Sequence, residues 1–185
     1  MAPLKFVITP LRGVASRLMT GEVQALISIC DPDDDARADV MIGAHEVPHI
    51  RLSFHDVDDV SLWEAAKLKL RCPDVDDVHK ALDFLSGLDL PPGSVVLVHC
   101  EAGISRSPSL AFGLESVLHS RKEPLSDDLV MDIARRVQTE AVVWDPNFRI
   151  IEICEALIPN GQGILRDAAQ RVTSPIKSLP GIFSW

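Results

Sequence analysis

The sequence contains no tyrosine, and aromatic residues make up only 5% of its 185 positions. Such scarcity argues against a surface on which the bases of single-stranded nucleic acid could stack. Basic residues are also outnumbered, because 18 Lys and Arg residues against 27 Asp and Glu residues give a formal net charge of −9. That balance disfavours both nucleic acid and anionic lipid as partners, and no apolar run approaches the roughly 18 residues of a membrane span. We therefore expect neither a nucleic-acid nor a membrane partner.

Cysteines are few and scattered. The four cysteines, at positions 30, 72, 100 and 154, form no CxxC pair, and a chain of this size can bury a core without a disulfide framework. The first residues are interrupted by prolines and lack the apolar run of a signal peptide. We therefore expect reduced thiols and a cytoplasmic location. The composition is that of a globular protein, and we expect one domain over residues 1–173 with a Ser/Pro/Gly-rich tail over 174–185.

Short apolar runs alternate with helical patterns along the chain. Four runs predict strands, and the last of them is continuous enough for a central strand covered on both faces: Leu4–Ile8, Ala25–Ile29, Ile50–Phe54 and Val95–Val98. Helices are predicted with capping residues at Asp74, Ser126 and Asp145-Pro146, and over Ser61–Leu70, Pro108–Leu118 and Ile164–Val172. This order predicts an α/β fold with a central, mostly parallel sheet of four to five strands flanked by helices.

Two segments have the letter patterns of metal sites. His45-Glu46-Val47-Pro48-His49 matches the H-E-x-x-H pattern of zinc proteases, which requires both histidines on one face of a helix. Proline at the fourth position disfavours that helix, so we expect two histidines in a turn before a strand. Asp31, Asp33 and Asp35 have the spacing of a calcium loop, but the glycine and the final glutamate of that loop are missing. We interpret this run as solvated acidic loop and expect no metal.

The strongest chemical signal is the segment His99–Ser107, which follows the most apolar predicted strand and precedes an apolar helical stretch. Backbone N–H groups of a loop at a helix start can converge on one anion, and the positive end of the helix dipole adds to the attraction. Gly103 allows close approach of the backbone, and the planar guanidinium of Arg106 can bind two phosphate oxygens. The same field favours the thiolate form of Cys100, which is the nucleophile.

The letters of this segment resemble a known phosphate-binding loop. His-Cys-x5-Arg-Ser is similar to the loop of cysteine-dependent protein tyrosine phosphatases, and Gly-Ile-Ser-Arg-Ser-Pro resembles their dual-specificity branch. Asp145-Pro146-Asn147, followed by an apolar helix and Gly163, also looks like a set of small bacterial phosphatases of this type. The resemblance covers about residues 4–158. It implies a dual-specificity-phosphatase-like fold and hydrolysis of phosphate monoesters without a cofactor or a metal.

The resemblance also implies a role for each residue of the loop. Cys100 attacks phosphorus and forms a phosphocysteine, while Ser107 helps the sulfur to leave and His99 orients the loop. The phosphate is bound by the intervening residues and the arginine, namely Glu101, Ala102, Gly103, Ile104, Ser105 and Arg106.

A carboxylic acid on another loop must protonate the leaving oxygen. In the dual-specificity pattern this acid follows an earlier strand, which here places it at Asp56, with Asp58 and Asp59 as alternatives. The order Trp144-Asp145-Pro146 differs from the acid loop of classical tyrosine phosphatases, so we interpret Asp145 as a helix cap. Asn147 is expected to position water or the loop.

Charge bears on the substrate. The loop residues Ile104 and Ser105 are neutral, whereas lipid and inositol phosphatases of the family tend to carry basic residues in this loop. A phosphorylated protein is therefore the expected partner, with phosphotyrosine as the first substrate and phosphoserine or phosphothreonine as further ones, because a phenol of pKa about 10 is the easier leaving group. An inositol-polyphosphate phosphatase and a non-catalytic phosphate-binding adaptor are the alternatives. No oligomeric state is predicted.

Overall fold

The sheet at the centre of the protein has four parallel strands in the described part of the chain. The structure, a computed structural model, describes residues 4–33, 47–58, 61–141 and 143–173. The strands are β1 (Lys5–Pro10), β2 (Val23–Cys30), β3 (His49–Ser53) and β4 (Val95–Cys100), in the spatial order β1-β4-β2-β3. The prediction of a mostly parallel sheet of four to five strands flanked by helices is confirmed.

Seven α-helices accompany the sheet in these ranges. They are α1 (Val14–Leu18), α2 (Leu62–Lys67), α3 (Val75–Gly87), α4 (Arg106–Ser120), α5 (Asp127–Glu140), α6 (Phe148–Ala156) and α7 (Ile164–Thr173), and a 3₁₀ turn precedes α1. None of the described helices is long and apolar enough to cross a membrane. The tail predicted over 174–185 lies outside the described residues.

Helix starts follow capping chemistry, with one correction. Asp74 and Ser126 cap α3 and α5 as predicted, since each side chain accepts a backbone N–H three residues ahead. The prediction that Asp145-Pro146 caps α6 was wrong, because the cap is Asn147, whose Oδ1 accepts the Ile150 N–H at 3.1 Å. The Asp145 N–H instead donates to the Ile104 carbonyl at 3.1 Å, which ties this segment to the loop after β4 before the helix begins.

Helix α4 runs through the middle of the main core and is buried on nearly every side. A helix buried all round needs neighbours that approach closely. At Gly113 a Cβ would lie 2.3 Å from Sγ of Cys154, so only glycine allows α6 to pack at this distance. Burial raises the pKa of the Cys154 thiol to about 12, which keeps it protonated and makes it a packing group.

The two faces of the sheet have different character. One face carries apolar side chains that join the main core with α4, including Ile8, Ile27, Leu52 and Val98. The opposite face packs Val7, Leu26 and Leu97 against Val14 and Leu18 of α1, in a smaller second cluster. This second face turns polar towards the carboxyl ends of the strands, where the functional residues lie.

Candidate active site

The predicted phosphate loop joins β4 to α4 at the carboxyl end of the sheet. β4 ends at Cys100 and lies between β1 and β2, and α4 begins at Arg106. The carboxyl end of a parallel sheet is where α/β proteins usually bind ligands, because loops from neighbouring strands meet there. The local sequence, an apolar strand followed by a glycine-containing turn and a helix, therefore places the loop where side chains from β2 and β3 can reach it.

The backbone of this loop curls around the sulfur of Cys100. Gly103 has φ of 72°, and its N–H donates to Cys100 Sγ at 3.3 Å. A Cβ at Gly103 would lie 2.8 Å from the backbone nitrogen of Pro10, so both the conformation and the close approach require glycine. The Glu101 carbonyl accepts the Leu11 N–H at 3.1 Å, which anchors the loop to the end of β1.

Ser107 completes the surroundings of the sulfur. Its buried Oγ lies 3.2 Å from Cys100 Sγ, within the first turn of α4. The sulfur is thus in contact with one backbone N–H and one hydroxyl. The loop positions between them differ in exposure: Gly103 is buried, whereas Glu101, Ala102 and Ile104 face solvent at the mouth of the loop.

Arg106 is fixed by one of its nitrogens and unbonded at another. Its Nη1 donates to Asp31 Oδ1 at 2.5 Å and to the Phe54 carbonyl at 2.9 Å. Its Nε is buried and has no hydrogen-bond partner among the described residues. A buried guanidinium N–H without a partner is costly, so this donor is suited to an oxygen of a bound anion.

Asp31 is a site residue that the sequence analysis missed. The acidic run was interpreted as solvated loop, which is wrong for Asp31, because its carboxylate pairs with Arg106. The reason is that β2 ends beside β4 in the sheet, so the first residue after Cys30 reaches the phosphate loop. Asp33 is exposed, in agreement with the prediction, and Asp35 lies outside the described residues.

Asp56 lies against the phosphate loop from the side of β3. Its Oδ1 accepts hydrogen bonds from Ser105 Oγ and from Asn147 Nδ2, both at 2.8 Å. Its Oδ2 lies 3.8 Å from Arg106 Nε. The side chain is 40% exposed, so this carboxyl is held at one oxygen and open to an incoming group at the other.

The two alternative acids have different surroundings. Asp58 Oδ1 accepts the Arg149 N–H at 2.9 Å, in the first turn of α6. A carboxylate at that position neutralises an otherwise unpaired helix N–H and the helix dipole. Asp59 lies outside the described residues. Of the described candidates, the structure brings Asp56 to the loop and gives Asp58 a capping contact.

Asn147 ties the acid-bearing segment to α6. The side chain is 1% exposed, and its Nδ2 also donates to the Val57 carbonyl at 3.3 Å. Its own N–H donates to Ser109 Oγ at 2.9 Å, and the same oxygen accepts from Trp144 Nε1 at 3.3 Å. Ser109 was not identified from the sequence, since nothing in an apolar helix marks one serine as a bridge to a later segment.

His99 is fully buried, with its ring against β2. Its Nε2 lies 2.6 Å from Oγ of Ser28 on β2, a residue that the sequence analysis did not single out. Burial, with a contribution from the charges of His49 and Arg51, lowers the pKa of His99 to about 4. The ring is therefore neutral at physiological pH.

The metal patterns find no support in the described ranges. His49 begins β3, so this half of the H-E-x-x-H pattern is on a strand rather than a helix. His45 and Glu46 lie outside the described residues. Among the residues that are described, no group of three or more His, Cys, Asp or Glu side chains could hold a metal ion.

Comparison with solved structures identifies the fold. The Cydia pomonella PTP-2 phosphatase is similar at a TM-score of 0.55 and 16% identity, over 82% of this chain and 84% of that one. PTPMT1 is similar at a TM-score of 0.53 and 19% identity, over 91% of this chain and 95% of that one. The human tyrosine phosphatase-like serine/threonine/tyrosine-interacting protein is similar at a TM-score of 0.51 and 15% identity, over 82% of this chain and 89% of that one. The sequence matches no family model and no curated protein. The chain has the fold of these phosphatases and phosphatase-like proteins, in agreement with the fold that the loop resemblance implied.

Proposed function

We propose that the protein is a cysteine-dependent phosphatase that hydrolyses phosphate monoesters, with phosphotyrosine in proteins as its first substrate class. The observation that carries the proposal is the convergence of three groups at one end of the sheet. They are Cys100 Sγ, Nε of Arg106, which has no hydrogen-bond partner among the described residues, and Oδ2 of Asp56, 3.8 Å from that Nε. A nucleophile, an anion binder and an acid are the three groups that this reaction needs.

In the first step Cys100 Sγ attacks phosphorus in line and the bond to the leaving oxygen breaks. The negative charge on the three equatorial oxygens is stabilised by loop N–H groups and by Arg106, so positioning and electrostatics supply most of the rate enhancement. Because Nη1 is already held by Asp31 and Phe54, the guanidinium presents its Nε edge to the phosphate in a fixed orientation.

Asp56 transfers a proton in each of the two steps, and Ser107 assists the second step with a hydrogen bond. Asp56 Oδ2 gives its proton to the leaving oxygen, and the phosphate stays on Cys100 as a phosphocysteine. In the second step Asp56 accepts a proton from a water molecule that attacks phosphorus. The sulfur then departs while Ser107 Oγ donates a hydrogen bond to it, and inorganic phosphate is released.

The mouth of the site favours a substrate with a single phosphate. Asp31 and Asp56 place partly exposed carboxylates beside Arg106, and the exposed Glu101 adds a negative charge in the loop itself. A polyphosphorylated inositol would bring further negative charge against these groups. A phosphorylated side chain of a protein carries one dianionic group, which the loop and Arg106 can neutralise.

A non-catalytic adaptor would need the phosphate-binding groups but not the acid. Asp56 accepts hydrogen bonds from two residues that are distant in sequence, Ser105 and Asn147. An arrangement that positions a carboxyl against the phosphate loop serves proton transfer rather than binding, because a carboxylate repels a bound phosphate. This observation favours the enzyme.

Turnover of p-nitrophenyl phosphate by wild type, Cys100→Ser and Cys72→Ser tests the proposal. Cys72 is the matched control, a partly buried cysteine outside the loop. We expect Cys100→Ser to lose activity by roughly 10⁴-fold or more and Cys72→Ser to keep it. Phosphotyrosine peptides should be hydrolysed faster than inositol hexakisphosphate. An inactive wild type that still binds phosphopeptide would establish the adaptor, and undiminished turnover by Cys100→Ser would refute the mechanism.

A further inference from the structure

The short turn after β3 decides where the carboxyl of Asp56 lies. The Val57 N–H donates to the His55 carbonyl at 3.0 Å, so Asp56 is the central residue of a three-residue turn. Ser105 and Asn147 both donate to Oδ1 of its side chain. Contacts at one oxygen let a carboxyl pivot about that oxygen unless its backbone is fixed as well. The placement of Oδ2 therefore depends on what holds His55.

Arg71 bonds to His55 at two points. The His55 N–H donates to the Arg71 carbonyl at 2.8 Å, and the Arg71 N–H donates to His55 Nδ1 at 2.9 Å. These reciprocal bonds join residues 16 positions apart and close the excursion of the chain that contains α2. Closing a loop costs conformational entropy, and two bonds at its base offset that cost. They also fix both the backbone and the ring of His55.

The guanidinium of Arg71 is itself held on two sides. Nη2 and Nη1 donate to the two carboxylate oxygens of Asp77, at 2.8 and 3.0 Å, and Nη1 also donates to the Ser53 carbonyl at the end of β3. Asp77 is 2% exposed and lies in the first turn of α3. A bidentate pair of this kind fixes both the position and the plane of the guanidinium. Arg71 therefore joins the end of β3, His55 and α3 to one another.

We propose that Arg71 is a positioning residue that, through its two bonds to His55, places the carboxyl of Asp56 for proton transfer to the leaving group. The proposal rests on the proposed phosphatase function and adds a residue to it. Arg71 does not serve as a second phosphate binder, because both Nη atoms donate to Asp77 and an anion would have to displace that buried carboxylate. Its effect on the reaction is transmitted by His55 to Asp56.

The dependence of turnover on the leaving group tests this role. Phenol, with a pKa of about 10, needs a proton in order to leave, whereas p-nitrophenol leaves readily as an anion. Arg71→Lys keeps the charge but cannot form the bidentate pair. We expect its kcat/KM to fall about 10-fold or more for phenyl phosphate and less than about 3-fold for p-nitrophenyl phosphate. Equal falls for the two substrates would show a merely structural role and overturn the proposal.

Arg136→Lys is the matched control. Arg136 of α5 also pairs with a buried carboxylate, that of Glu115 in α4, which is 5% exposed. We expect this variant to keep the wild-type ratio of kcat/KM for the two substrates. A ratio that changed as much in Arg136→Lys as in Arg71→Lys would trace the effect to lost stability and refute the positioning role.

Variants of His55 test the link between Arg71 and Asp56 and cover the case in which Arg71→Lys does not fold. The side-chain oxygen of asparagine can lie where Nδ1 lies in histidine and accept the same N–H. We therefore expect the loss on phenyl phosphate in His55→Ala and recovery of most of the wild-type ratio in His55→Asn. A His55→Asn protein as impaired as His55→Ala would contradict the bond from Arg71 as the link.

A double variant shows whether Arg71 acts through Asp56. Added to Asp56→Asn, which has no proton to transfer, Arg71→Lys should cause no further change in the ratio of kcat/KM for the two substrates. A further change as large as that in the wild-type background would mean that Arg71 acts by another route, against the proposal.

Amide hydrogen exchange separates this proposal from the proposed function. If the wild type hydrolyses no phosphate monoester, the proposed function fails, but exchange still shows whether Arg71 holds the turn. Arg71→Lys should speed exchange of the His55 and Val57 N–H groups about 3- to 10-fold, as expected for a weakened hydrogen bond. The Phe54 N–H, which donates to the Cys30 carbonyl, is the internal control and should keep its protection. Unchanged exchange at His55 and Val57 would overturn the role of Arg71.

Discussion

The two sides of the candidate site are built in different ways. The phosphate loop from Cys100 to Ser107 is contiguous, and its contacts to the sulfur come from residues three and seven positions away in the chain. The carboxylate side is assembled from separate segments, with Asp31 and Asp56 bonded to partners 75 and 49 to 91 positions away. In the proposed mechanism the contiguous loop binds the phosphate, whereas the contacts between distant segments hold the acid Asp56 and the guanidinium of Arg106.

The largest effect that separates the two sides is expected at Asp56. Asp56→Asn keeps both contacts to Oδ1 possible but removes the transferable proton, so kcat should fall about 10²- to 10⁴-fold, with little change in phosphate binding. We expect activity to decline at high pH in the wild type and not in Asp56→Asn, because general-acid catalysis needs a protonated carboxyl. Steady-state kinetics from pH 5 to 9 with a phosphotyrosine peptide measure both.

Asp58→Asn is the matched control for this experiment. Its carboxylate caps α6, so the variant should be slightly less stable and keep the wild-type pH profile. If Asp58→Asn removed the high-pH decline and Asp56→Asn did not, the acid assignment would be reversed.

The next largest effect on kinetics is expected from a substitution in the phosphate loop, at Gly103. Gly103→Ala forces a Cβ to within 2.8 Å of the Pro10 backbone and onto a residue at φ 72°, a combination that costs about 2–4 kcal/mol. Because the proposed mechanism assigns to this loop both the binding of phosphate and the surroundings of the sulfur, KM should rise and kcat should fall together, for a loss of about 10²-fold or more in kcat/KM. Gly93→Ala, also at positive φ but with open space around it, is the control and should leave kinetics unchanged. A selective loss of kcat in Gly103→Ala would contradict this division of roles.

This contrast also explains what could be predicted from the sequence. The four strands and the loop after β4 were predictable, because apolar runs, a glycine and a helix start are local signals. Asp31 was not, since nothing in an acidic run shows that β2 ends beside β4. The cap of α6 was misplaced by two residues, because Asp145 and Asn147 are both good caps. Asn147 is fixed in place by its bond to Asp56, 91 positions away.

His99 gives the loop side a pH-dependent stability. Its pKa is lowered to about 4 by burial, so between that value and the unfolded value of about 6.5 the unfolded chain binds a proton that the folded protein does not. Stability present above pH 6.5 is therefore lost as the pH falls, by about 2–3 kcal/mol near pH 4.5. Urea unfolding at pH 7 and 4.5 should show this loss in the wild type and a smaller loss in His99→Gln. Equal losses in both proteins would mean that His99 does not contribute.

The smallest effect, and the one that decides what the carboxylate side contributes, is expected at Asp31. Its carboxylate is 46% exposed, so solvent weakens its attraction for Arg106. If it anchors the guanidinium, Asp31→Ala should raise KM about 3- to 10-fold, whereas Asp31→Asn, which still offers Oδ1 to Nη1, should change KM less. Asp33→Ala, at an exposed neighbouring position, is the control. A lower KM in Asp31→Ala would mean that this carboxylate competes with phosphate for Arg106, so that the long-range side of the site restrains binding instead of supporting it.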